Sequence, residues 1–253
     1  MDFGSYDYEE RKQQVEEILD NTDKVEVKKE FPKEDEFTYT NGYKAWATAI
    51  FIDIRNSTEL FSVDNEEEEI EASKVVRGFT SEIIEILRQN TENQLEEIGV
   101  RGDCVYAIYS TPTTDDIYEV WNRGVYINTY MKMYNKLLTS RELPNIKAGI
   151  GMASAQTVAV KAGRKSSGIN GIVWIGKAVS IASKLSDLAN NGSYDPLLIS
   201  STFHYNLKKP YIQKQSEEKF NDFFEKKYEP NIGEFYQASV IKTDFDEWID
   251  KNL

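Results

Sequence analysis

Two short acidic motifs hold the residues best suited to chemistry: Phe51-Ile52-Asp53-Ile54-Arg55-Asn56-Ser57-Thr58 and Arg101-Gly102-Asp103. The first reads as the end of an apolar strand that delivers a carboxylate and then breaks into a Ser/Thr-rich helix start. The second reads as a tight hairpin with an acid at its tip. Carboxylates on neighbouring strand ends can hold hard divalent cations through oxygen, and such cations often carry a nucleoside triphosphate. A helix N-terminus just after the first acid offers free N–H groups to phosphate. Taken singly, Asp53 also suits a helix N-cap and Asp103 a simple turn.

Periodicity and punctuation give the elements that must position these acids. Residues 6–20 pattern as a helix with Val15 and Ile18 on one face, and residues 21–42, charged and holding Pro32, as a linker or arm. Residues 43–54 form the first core strand. Glu66 to Glu69 suit the solvated start of a helix. That helix reaches about residue 89, with Ile70, Val76, Phe79, Ile83 and Leu87 at helical spacing. Strand, turn and strand fill 95–110. A long helix over 114–138 carries Ile117, Trp121 and Val125 on one stripe, its aromatics expected in the core or at a dimer contact. After Pro144 come strands at 146–154 and 157–161, a basic hairpin loop at 162–168, a strand at 172–175 and a helix at 176–189. Further strands lie within 197–241, the last at 233–241, and 244–253 is a tail. Strand, helix, hairpin, helix, strand predicts a ferredoxin-like α+β fold, an antiparallel-rich sheet with flanking helices. Its layout is an N-terminal helix and charged arm (1–42), one catalytic domain (43–241) and a C-terminal tail (242–253).

Composition removes whole classes of function. A chain of 253 residues suits one medium domain with its own core. A net charge of −13, from 43 acids against 30 bases, argues against a nucleic-acid partner, which calls for a basic face. The single cysteine, Cys104, excludes an intramolecular disulfide and a Cys-based zinc cage, and is expected in the strand core. With His204 the only histidine, serine-triad and His-metal chemistries have little to work with. No apolar run reaches the ~18 residues of a membrane helix, and Met1-Asp2-Phe3-Gly4-Ser5 opens no signal peptide. A soluble, cytoplasmic protein with no membrane partner is expected.

Four motifs, in order, resemble those of the class III nucleotide cyclases. Phe51-Ile52-Asp53-Ile54-Arg55 with Ser57 resembles the family's first metal motif, and Gly102-Asp103 before Val105-Tyr106-Ala107 its second. Lys147-Ala148-Gly149-Ile150-Gly151 resembles its glycine-bearing strand. Gly176-Lys177-Ala178-Val179-Ser180-Ile181-Ala182-Ser183-Lys184-Leu185 resembles its catalytic helix, Gly-x-x-Val-Asn-x-Ala-x-Arg-Leu. The resemblance implies two ions per site, Mn²⁺ or Mg²⁺, held by Asp53, the Ile54 carbonyl and Asp103. It also implies amides of Asn56, Ser57 and Thr58 on the phosphates. Finally, it implies a homodimer with composite active sites, in which Ser180 and Lys184 act from the opposite subunit. The family has Asn and Arg at those two positions. Lys184 keeps the charge without the planar fork, and Ser180 is a shorter hydrogen-bonding arm; a surface lysine on an amphipathic helix is the plain alternative.

The resemblance also bears on the base. Purine cyclases of this class read it with polar residues three before the hairpin glycine and three before the helix glycine, positions held here by Gly99 and Val173. Neither side chain makes a hydrogen bond, so purine edges would go unpaired. Phe51, by packing, and Arg101, by donating to a carbonyl, suit a smaller base; a surface salt bridge is the other role open to Arg101. In this the chain resembles the pyrimidine cyclases of bacterial antiphage (Pycsar) systems. That implies two-metal conversion of UTP, with CTP the next choice, to a 3′,5′-cyclic nucleotide and pyrophosphate as an alarm signal. A divergent adenylate or guanylate cyclase, and a cyclase-like domain that binds nucleotide without turnover, are the alternatives.

Overall fold

A computed structural model describes residues 6–21, 24–62, 64–91, 94–163 and 170–253. Most of the expected basic loop, 164–168, lies outside the described residues. In chain order the elements are α1 (Tyr8–Asn21), β1 (Lys24–Val27), β2 (Asn41–Ile54), α2 (Ser57–Phe61), α3 (Glu66–Arg88), β3 (Leu95–Arg101), β4 (Cys104–Ser110) and α4 (Thr114–Thr139). They continue with β5 (Ala148–Gly163), β6 (Asn170–Ile175), α5 (Lys177–Leu188), β7 (Leu197–Ser200), α6 (Ser201–Lys214), α7 (Glu217–Phe223), β8 (Glu225–Glu229), β9 (Gly233–Ala238) and α8 (Thr243–Asn252).

β2 is the spine. It runs antiparallel to β4 on one side and to β5 on the other, within a sheet ordered β3-β4-β2-β5-β7-β9-β8. β1 adds to β2, and β6 to β5. The run β2-α3-β3-β4-α4-β5 is the ferredoxin-like core. Strand alternation sends Ile50, Ile52 and Ile54 to the face covered by α3 and α4. It sends Ala47, Ala49, Phe51 and Asp53 to the other face, where α5 lies. Small alanines leave room there for a helix to come close.

α3 starts where the acidic run predicts: Asn65 caps it, accepting from the Glu68 amide at 3.1 Å, and four glutamates meet the positive end of the helix dipole. Its buried stripe is Ala72, Val75, Phe79, Ile83 and Leu87; Ile70 is exposed and Val76 only half-buried, so the stripe lies slightly round from the expected one. α4 is capped by a Thr113–Asp116 box and buries Tyr118, Trp121, Tyr130 and Tyr134 in the core.

Several expectations are corrected. The strands expected at 146–154 and 157–161 are a single strand, β5 (Ala148–Gly163): the long β2 pairs with it through Ala155 and Gln156 without a break. Most of 201–223 is helical, because Ser200 and Ser216 side chains cap α6 and α7 through the Phe203 and Lys219 amides. The 244–253 tail is α8, with Ile249 buried and Lys132 reaching Asp246 at 2.7 Å and Asp250 at 2.8 Å. The arm is more than a linker, since β1 pairs parallel with β2 and Phe31 and Phe37 are buried. Among the described residues no helix is long and apolar enough to cross a membrane.

Candidate active site

The site begins with two glycines. Gly149 and Gly151 are the ladder partners of Asp53 and Phe51. A Cβ on Gly151 would strike the Ala182 carbonyl and Ser186 amide, and one on Gly149 the Ala189 and Ser186 carbonyls. Their absence lets the α5 backbone lie directly on the sheet. Ser180, Ser183 and Lys184 of α5 thereby share a cavity of about 920 Å³ with Phe51 and Asp53. That volume is in the range of small-molecule sites.

Asp53 marks one end. The Arg55 guanidinium pairs with its carboxylate and with its backbone carbonyl, and donates through Nη1 to the Asp187 carbonyl at 2.6 Å. Asp53 is not a helix cap; Asn56, at φ 57°, holds that position for α2. Burial pushes the Asp53 carboxyl up to about 6, with Arg55 opposing and the charges of Asp103 and Asp187 adding. Asp103 is therefore an electrostatic neighbour of Asp53, as expected. It is placed by Gly102, whose φ of 65° suits the first central position of a two-residue hairpin turn. Cys104 pairs with Asp53 across the ladder. Burial first, then Asp53 and Asp103, push its thiol up to about 12, which makes it an inert strand residue.

Among the described residues no three acid, histidine or cysteine side chains form a ready-made metal cage. Mg²⁺-like ions seldom need one, being held by one or two carboxylates together with substrate phosphates. Asp53 at the cavity wall, with Asp103 as its charged neighbour on the hairpin, fits that pattern. The expected phosphate contacts, Asn56, Ser57 and Thr58, open α2 next to Asp53 but do not line this cavity. Asn56 instead lines a separate hollow of about 610 Å³ with Arg55 and Lys147.

The expected base-reading positions differ in fate. Gly99 is closed off, since a Cβ there would fall inside the Tyr106 ring. Val173, on β6, lines the cavity, 46% exposed, with an apolar side chain. Arg101 lines it from the hairpin and is exposed. Phe51 and Tyr106, ladder partners, stack at 5.1 Å between centroids. Sequence reasoning missed Glu97 and Trp174. Tyr106 Oη donates to Glu97 Oε1 and Trp174 Nε1 donates to Glu97 Oε2, both at 2.6 Å. The alternation that groups Gly99 with Arg101 also includes Glu97, and was the signal available. On α5, Ser180 Oγ donates to the Gly176 carbonyl at 3.3 Å and Lys184 Nζ to the Asn231 carbonyl at 3.2 Å.

The chain is 42% identical to a Treponema porcinum protein named uridylate cyclase, over 98% of this chain and 82% of that one. The crystal structure of the adenylyl cyclase CyaB from P. aeruginosa superposes with a TM-score of 0.62, covering 80% of this chain and 98% of that one. The chain belongs to the class III nucleotide cyclase family. At 17% identity the likeness to the adenylyl cyclase is one of fold alone. A second uridylate cyclase, from Gulbenkiania mobilis, is 26% identical over 98% of this cyclase and 97% of its own length. No family model matches the chain.

Proposed function

We propose that this cyclase converts UTP to 3′,5′-cyclic UMP and pyrophosphate, as a cytoplasmic homodimer whose product signals in antiphage defence. One observation carries the reading: a single cavity has Asp53 at one end and, along its wall, the stacked Phe51 and Tyr106 rings beside the Arg101 cation. That suits a small base with carbonyl acceptors. The name of the Treponema porcinum relative supports the same base.

Asp53, the Ile54 carbonyl and Asp103 would hold Mn²⁺ or Mg²⁺, two ions that when bound acidify the ribose 3′-hydroxyl and neutralise the triphosphate. The chain's own residues position the rest. Phe51 packs the base, and Arg101 donates to a uracil carbonyl. The amides of Asn56, Ser57 and Thr58, which open α2 beside Asp53 rather than inside the cavity, would meet phosphate oxygens reaching past Asp53. In the composite sites of the homodimer, Ser180 orients the ribose and Lys184 offsets charge on the α-phosphorus from the opposite subunit; both also line the Asp53 cavity of their own chain, so subunit mixing decides which copy acts. The O3′–Pα bond forms, the bond from Pα to the bridging oxygen breaks, pyrophosphate leaves, and the 3′ proton passes to water.

A second reading, nucleotide binding without turnover, is favoured by Lys184 and Ser180 being bonded to carbonyls of their own chain. The test is purified protein with Mn²⁺ and each of the four nucleoside triphosphates, products resolved by chromatography. Cyclic UMP from UTP, at the highest kcat/KM, is the expected result. Equal or better use of ATP overturns the pyrimidine reading, and binding with no cyclic product from any nucleotide selects the second one.

A further inference from the structure

Glu97 is a half-buried carboxylate gripped from two strands, and nothing in the catalytic scheme above uses it. The β3–β4 register shifts between Leu95 and Glu97. Such irregularities re-aim side chains, commonly beside active sites. Here Glu97 faces the cavity with Tyr106 and Trp174. Tyr106 donates to one carboxylate oxygen and Trp174 to the other, each at 2.6 Å. An indole can only donate. The Tyr106 hydroxyl, pushed up to about 12 by burial and then by its bond to Glu97, keeps its proton in that bond. Both local donors are thus spent on the carboxylate. What Glu97 still offers the cavity is acceptor lone pairs.

Trp174 is fixed from behind by the arm. Phe31 meets its ring edge-on, with centroids 4.9 Å apart, and the Phe31 amide donates to Ser110 Oγ at 3.2 Å. A segment expected to be a linker therefore braces the wall of the cavity.

We propose that Glu97 is the specificity residue that reads the base, accepting the N3–H of uracil, with Trp174 and Phe31 as its positioning residues. This rests on the UTP reading above. Uracil presents one N–H between two carbonyls, so a carboxylate for the N–H and Arg101 for a carbonyl complement it. Cytosine and adenine carry a lone pair at the corresponding ring nitrogen, which the carboxylate repels. Guanine does carry such a proton, and its exclusion falls to the Phe51–Tyr106 stack that narrows the cavity.

The test compares UTP with 3-methyl-UTP, in which a methyl group replaces the N3 proton, on the full-length protein with Mn²⁺. Wild type should use 3-methyl-UTP at least about a hundredfold less well in kcat/KM, because a site built around a donor rejects analogues lacking it. Glu97→Gln should lower kcat/KM for UTP about ten- to a hundredfold and leave 3-methyl-UTP nearly unmoved, contracting the ratio by the same factor. Trp174→Phe should contract it in the same direction, by less. Equal use of the two nucleotides by wild type overturns the assignment, and needs no variant to fold. So does a Glu97→Gln enzyme that loses both activities equally, the mark of a structural role. A wild type that prefers ATP or GTP to UTP fails the UTP reading and takes this assignment with it. A UTP-preferring wild type whose ratio is unchanged in Glu97→Gln fails on Glu97 alone.

Discussion

Arg55 is clamped to Asp187: its Nη1 donates to the Asp187 carbonyl at 2.6 Å while the rest of the guanidinium holds Asp53. The same arginine thus ties the end of β2 to the last turn of α5, the two elements that frame the cavity. It also partly offsets a carboxylate that burial and two acidic neighbours disfavour. A half-buried acid held there against its neighbours' charge points to use rather than structure.

Asp53→Ala and Asp103→Ala are therefore expected to abolish turnover, by at least about a thousandfold, since each removes a ligand for ions that carry several kcal/mol of transition-state stabilisation. Melting temperatures should move by only a few degrees, because neither side chain anchors the core. Initial rates with UTP and Mn²⁺, beside thermal melts, check both parts. Retained turnover in either variant would remove the two-metal scheme.

Subunit mixing tests where Lys184 acts. In a symmetric dimer with composite sites, Asp53→Ala and Lys184→Ala homodimers are both inactive. A heterodimer of the two has one doubly damaged site and one intact site. Random exchange should restore about a quarter of wild-type activity, since half the dimers are mixed and each has one working site. Verified exchange with no recovery would place Lys184 and Asp53 in one chain's site.

The acidic strand ends were legible because each motif is contiguous, and the ladder partners follow from alternation once β2 is central. The Glu97 cluster on the cavity wall was not, because it is assembled across 77 residues, from Glu97 to Trp174. At position 99 the Tyr106 ring occupies the space a side chain would need. α8 was missed although Phe245, Trp248 and Ile249 stand at helical spacing, because the segment is short and its anchor, Lys132, lies 114 residues before Asp246. In α6 the spacing of Phe203, Leu207 and Tyr211 was helical, but Pro210 within the helix reads as a breaker.

The Gly151 contact gives a prediction about α5. A methyl group at this position meets α5 backbone on two sides, at Ala182 and Ser186, and backbone cannot rotate away. Gly151→Ala should cost more than the ~1–3 kcal/mol of ordinary overpacking, lowering the melting temperature by several degrees or more. Turnover should fall further than stability predicts, because α5 carries Ser180 and Lys184. Gly171→Ala, where a Cβ meets open space, is the matched control and should change neither. Equal melting of the two variants would show that α5 does not rest on the strand as described.

His204 supplies a pH signature. Its ring stacks on Tyr236 at 3.6 Å between centroids and lies against Phe220 at 4.8 Å and Phe224 at 5.1 Å. Burial, and then the nearby Lys208 charge, lower its pKa from 6.5 to about 4. The unfolded chain therefore binds a proton that the folded chain refuses across that window. By linkage, stability is undiminished above about 6.5, falls as the pH drops toward about 4, and stays reduced below it. Glu96, raised to about 7 by burial and by Glu30, works with the opposite sign: its share of stability is lost as the pH rises through about 7. The clean measurement is thus the difference in melting temperature between wild type and His204→Phe, followed from pH 7.5 to 4.5. It should shift steadily in favour of the phenylalanine variant as the solution becomes acidic. Because His204 is the only histidine, its ring protons can also be titrated directly by NMR without assignment. A midpoint near 6.5, with a melting difference that does not change with pH, would show the ring to be solvated and the aromatic cage open.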